Sequence, residues 1–188
     1  MTVRWFSTVM ERGAMSLGTS TRIRRQLEEA EGYLMLEMPS YALEILESRA
    51  EWPSMPFEAN FLKGEALRCL DRYREAIQAL DVAAALRPDD IAVALAQGWC
   101  YKRTNRLAQA VDALERAARH EPENALIRYN LACYWSLAAN ASKAIEELSL
   151  ALRLKPEFRR LISDESDFNT LRGNSTFETL MRDAAPSK

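Results

Sequence analysis

Few side chains in this 188-residue sequence have the types and spacing that chemistry needs. The single histidine, His120, stands just before Pro122, at what reads as the end of a helix. There its ring can meet the last free carbonyls and the negative end of the helix dipole. Acid–base or nucleophilic chemistry would need a partner group in reach. The sequence offers no nucleophile–base pair, no glycine-rich phosphate loop and no metal cluster beside it. Cys69, Cys100 and Cys133 show neither CxxC nor zinc spacing, and they read as thiols in a reducing compartment. The acidic run Asp164-Glu165-Ser166-Asp167 lacks the alternating ligands of a calcium loop, so helix capping explains it. Arg22-Ile23-Arg24-Arg25 reads as a solvated helix start rather than a phosphate track. No catalytic, cofactor-binding or metal residue is nominated, and no enzyme is expected.

The composition agrees with that reading. Forty-eight per cent hydrophobic and 28% charged residues describe an ordinary globular chain of one domain. A net charge of −2 and a pI near 5.6 give no reason to expect nucleic acid. The longest uncharged stretch, 129–142, is too short and polar to span a bilayer, so no membrane is expected. The first residues carry neither a secretory nor a lipid-anchor pattern, which favours the cytoplasm.

What must be positioned is therefore a surface, and the spacing of small and apolar residues shows how. Pro88, Pro122 and Pro156 recur at steps of 34, as do Ala76, Ala110 and Ala144, Leu80, Leu114 and Leu148, and Ala83, Ala117 and Ala151. Gly64, Gly98 and Ala132 keep the same step. Each unit divides into helix A (near 57–70, 91–103, 125–138) and helix B (near 73–86, 107–119, 141–154). Short turns at Asp71-Arg72, Thr104-Asn105 and Ala139-Asn140 make neighbours antiparallel. The glycine column allows the two helices to approach closely, and each proline stops a helix B.

This pattern resembles the tetratricopeptide repeat, a 34-residue helix–turn–helix unit. The resemblance implies an all-α fold: a right-handed superhelix, or α-solenoid, of antiparallel helix pairs, with about four repeats and C-terminal capping helices. The divisions are a tail at 1–22, a degenerate repeat at 23–56, repeats at 57–90, 91–124 and 125–158, capping helices at 159–184 and a tail at 185–188. Residues 1–21 lack helical periodicity. In the degenerate repeat Ala30, Tyr33, Ala42 and Leu46 keep the columns, while Arg49 and Ser54 break them. The family's tryptophan column holds Asn60, Ala94 and Arg128 instead. In the cap, a helix from Glu157 to about Ile162 is expected. Ser166 should cap a short helix with Phe168 and Leu171, and Ser175 with Glu178 should form a capping box.

In this family the A helices line a concave groove that holds a partner. Carried over position by position, the groove residues are Glu58, Phe61, Glu65 and Arg68, then Leu95, Trp99, Lys102 and Arg103, then Tyr129, Asn130 and Cys133, with Ser136 on the same face. Phe61, Trp99 and Tyr129 form an aromatic line, the usual kind of interface anchor. The carboxylate clamp of chaperone-tail binders is absent: its positions hold Leu27/Glu31, Phe61/Glu65 and Leu95/Trp99, and only Asn130 matches. The resemblance implies a non-enzymatic interaction module or scaffold that binds a peptide or protein segment, without cofactors. The alternative is a structural protein that assembles with itself as a homo-oligomer.

Overall fold

A computed structural model of the chain describes residues 17–49 and 52–183, apart from the side chains of 17–19 and 183. The expected tail positions 1–16 and 185–188 lie outside the described residues. The described residues fall into two compact units, divided between Pro88 and Asp89. The first holds α1 (Leu17–Met35), α2 (Pro39–Glu47), α3 (Pro56–Cys69) and α4 (Tyr73–Leu86). The second holds α5 (Ile91–Arg103), α6 (Leu107–His120), α7 (Ala125–Leu137), α8 (Ala141–Leu154), α9 (Arg159–Ile162) and α10 (Ser175–Asp183). Two 3-10 turns, Pro156–Phe158 and Ser166–Leu171, flank α9. No strand occurs among the described residues, and the fold class is the expected all-α helical repeat.

The turn between the helices of each pair is the same device four times over. Glu37, Asp71, Asn105 and Ala139 each adopt a left-handed backbone with φ of 57° or 58°. The next residue donates its N–H back five positions: Met38 to Tyr33, Arg72 to Leu67, Arg106 to Tyr101 and Asn140 to Trp135, at 2.8–2.9 Å. This is the Schellman ending, which satisfies the orphan carbonyls of a helix end and reverses the chain. It recurs in the degenerate first pair, so the repeat's turn survives where its side-chain columns fade.

Packing follows the columns. Ala76, Leu80 and Ala83 in unit 1, and Ala110, Leu114, Ala144, Leu148 and Ala151 in unit 2, are all 0% exposed. A methyl group built on Gly64 would lie 2.6 Å from Leu80 Cγ, so α3 and α4 meet with no room for a side chain. Gly98 is less confined, with Tyr134 Cε2 at 3.1 Å and Leu114 Cγ at 3.4 Å from the same imagined methyl. Helices α4, α6 and α8 end two residues before Pro88, Pro122 and Pro156. Asp90 and Asn124 cap α5 and α7 by accepting backbone N–H bonds from Val93, and from Leu126 and Ile127. The missing tryptophan anchor is replaced at Arg128, whose guanidinium pairs with Glu147 on α8 at 3.0 Å and donates to the Pro122 carbonyl.

Several local expectations differ from the structure. Helix α1 opens at Leu17 and runs through 17–21. The stretch carries no apolar residue between Leu17 and Ile23, so the helix extends without a periodicity to mark it. Helix α2 stops at Glu47, where Ser48 Oγ donates to the Ile45 carbonyl. Trp52 then folds back, its ring N–H on the Leu46 carbonyl and Arg49 over its face. Glu165, not Ser166, caps the second 3-10 turn by accepting from Asp167 N–H. Asn174 caps α10 through the Thr176 and Phe177 N–H groups, and Glu178 reaches the Gly173 N–H. The amide oxygen of Asn174 occupies the capping position one residue before Ser175, which leaves Ser175 as the first helical residue.

Candidate functional site

Within unit 1, the four nominated groove residues sit on α3 and are engaged by their own unit. The Glu58 carboxylate receives Arg87 at 2.6 Å, and Arg87 also lies 3.7 Å from the centre of the Phe57 ring. Glu65 and Arg68 pair with each other through two bonds of 2.9 Å, one turn apart. Phe61 is half-buried and stacks on Phe57 at 6.1 Å. Cys69, the neighbouring position, is exposed.

Within unit 2, α5 presents Leu95, Trp99 and Lys102 at steps of four and three, hence along one helical face. Leu95 is half-buried, and the Trp99 ring remains 39% exposed. The Lys102 ammonium lies 5.4 Å from the centre of that ring, within cation–π range. Arg103 is exposed at the end of the helix. On α7, Asn130 donates to the Leu126 carbonyl within its own helix.

Tyr129 and Cys133 stand differently. They are 7% and 3% exposed because residues 156–171 lie over them. Phe158 and Phe168 meet the Tyr129 ring edge-on, at 5.4 Å and 5.8 Å between centres. Asp167 forms an ion pair with Lys102. Ser136 Oγ donates to the Asp167 carbonyl at 2.6 Å, and Thr170 Oγ1 donates to the Ser136 carbonyl at 3.1 Å. The expected aromatic line is thus exposed at Trp99, half-buried at Phe61 and covered at Tyr129. The cap residues Asp167 and Thr170 were missed as partners of this face.

Cys133 Sγ and carboxylate oxygens of Glu165 and Asp167 lie within 4.8 Å of one another, the one cluster among the described residues with metal-ligand types. Each member already has a task. Asp167 holds Lys102, Glu165 caps the 3-10 turn, and burial pushes the Cys133 thiol well above its ordinary range, with the two carboxylates adding to it. In this arrangement the three side chains serve the packing of residues 156–171 against α7. Burial likewise raises the Tyr129 and Tyr134 hydroxyls. His120 pairs with Asp89 at 2.8 Å, half-exposed, rather than with the helix carbonyls expected of it. The Asp89 carboxylate, just beyond Pro88 and within reach of the end of α6, offers the stronger acceptor.

No helix among the described residues is long and apolar enough to cross a membrane. No family model matches the sequence, and none of the curated proteins matches it. Solved structures do. MamA from Desulfovibrio magneticus RS-1, residues 41 to the end, aligns at 20% identity over 93% of this chain and 100% of that one, with a TM-score of 0.69. MamA of MSR-1 aligns at 20% identity over 88% of this chain and 94% of that one, with a TM-score of 0.68. MamA of AMB-1 gives 19% identity, 88% and 87% coverage and a TM-score of 0.68. Identity at this level carries the fold, and it agrees with the 34-residue period, the Schellman turns and the glycine column. The chain has the all-α helical-repeat fold of the tetratricopeptide-repeat proteins.

Proposed function

We propose that the chain is a non-enzymatic interaction scaffold that holds a peptide or protein segment against the A helices of its repeats, in a cytoplasmic setting. The observation that carries this reading is Trp99. A folded chain that buries its leucine and alanine columns leaves this large ring 39% exposed, between half-buried Leu95 and the Lys102 ammonium. Tryptophan is among the residue types enriched at the energetic hot spots of protein interfaces. A segment with an apolar side chain and an acidic neighbour is the complementary shape and charge.

The test compares the wild-type chain with Trp99→Ala in affinity capture, with helical content checked on both. A partner held through Trp99 should bind roughly 30-fold more weakly to the variant, the loss expected of an interface hot spot. Equal capture by both chains would sink the reading.

A second reading, self-assembly, draws on a different place. Met35, Leu36, Met38 and Tyr41, around the turn between α1 and α2, are 59%, 68%, 38% and 53% exposed. Contiguous exposed apolar groups of this kind mark association surfaces. Sedimentation across a wide concentration range should show mass rising with concentration, and Leu36→Lys should abolish the rise. A constant monomer mass removes this alternative.

A further inference from the structure

Residues 165–171 contact α5 and α7 as a bound segment would. Their local structure is a 3-10 turn beside a four-residue helix, and pieces this short have little stability of their own. What holds them is the face beneath: the Lys102 ammonium on Asp167, the Ser136 hydroxyl on the Asp167 carbonyl, and the Tyr129 ring on the fully buried Phe168. The covered residues, Lys102, Tyr129, Cys133 and Ser136, are also the positions that the repeat pattern assigns to the partner-facing row.

Resting on the interaction reading above, we propose that residues 165–171 are a displaceable internal occupant of this face. The partner that replaces them is a segment of another protein with a carboxylate directly before an aromatic ring, the chemistry of Asp167-Phe168. An occupant tethered to its own site acts at an effective concentration of order millimolar. The resting face therefore excludes weak segments and admits those that outcompete the tether.

Cys133 reports the opening, because its sulfur lies within 4.8 Å of carboxylate oxygens from Glu165 and Asp167, beneath the cap. Cys100, buried on α5, serves as the internal control. The wild-type chain is treated with N-ethylmaleimide and labelling is followed at each cysteine by mass spectrometry. Cys133 should react at least tenfold faster than Cys100, and Lys102→Glu should accelerate Cys133 alone by a further tenfold. Equal rates at the two cysteines would mean that the cap leaves only when the chain unfolds, and the proposal would be overturned.

A second arm asks about recognition. A fluorescent peptide of residues 163–173 is titrated into the Asp167→Ala, Phe168→Ala chain. It should bind at least tenfold more tightly than peptides lacking either the aspartate or the phenylalanine, and Lys102→Glu in the chain should remove the part of the difference that the aspartate makes. Binding that ignores those substitutions overturns the partner chemistry. Dimerisation of the wild-type chain by exchange of 165–171 also overturns it, since the occupant would then be a second copy. Trp99 lies outside the covered set. Loss of capture by Trp99→Ala together with equal thiol rates would therefore retain the scaffold and reject the displaceable cap.

Discussion

Ala139 is the one turn residue of the four without a polar side chain. Its left-handed φ of 58° is disfavoured for any residue with a Cβ, and a methyl group makes no hydrogen bond to compensate. Ala139→Gly should therefore raise the unfolding free energy by about 0.5–1 kcal/mol in denaturant titration. Asp71→Gly should gain less, because the Asp71 carboxylate also accepts a bond from the Tyr73 hydroxyl. The glycine column gives the opposite sign. Gly64→Ala drives a methyl to 2.6 Å from Leu80 Cγ and should cost about 1–3 kcal/mol. Gly98→Ala meets Tyr134 at 3.1 Å and should cost less, so the order of the two melting temperatures checks the close approach of α3 and α4.

Pairs of helices are joined by interactions that differ between repeats, and those were harder to foresee. Arg128 looked like the loss of an anchor. It is instead a strut from α7 to α8, with the side chains of Arg128 and Glu147 only 16% and 17% exposed. Arg128→Ala should destabilise by about 1–3 kcal/mol by stranding a half-buried carboxylate. Adding Glu147→Ala should recover part of that loss in a double-mutant cycle. The element boundaries were legible wherever a residue type forces them, as proline does at 88, 122 and 156. They were not legible at Leu17, where a helix runs on through small polar residues, nor at Ser166, where a glutamate one position earlier supplies the cap. The nominated residues lie on α3, α5 and α7, the helices to which the repeat register assigns them. Whether Lys102, Tyr129 and Ser136 faced solvent depended on a segment some 30 to 65 residues later in the chain, which no local pattern announces.

At the scale of the whole molecule, each unit's stability rests on its own neighbouring helix pairs, since no pair buries its apolar faces alone. Gly98→Leu should accordingly lower the melting temperature of all of unit 2, not only of α5 and α6, as read by hydrogen exchange at α7 and α8. Persistence of native protection there would contradict the shared core. The Lys102–Asp167 ion pair joins residues 65 apart. The last residue of that face, Ser136, precedes Asp167 by 31 residues, which a ribosome adding about 5–20 residues per second covers in roughly 2–6 s. Throughout that interval the face formed by Lys102, Tyr129 and Ser136 has no internal occupant. Under the proposal that residues 165–171 occupy a partner site, a nascent chain is receptive before it is closed, and a partner present during synthesis meets a face that the finished protein covers.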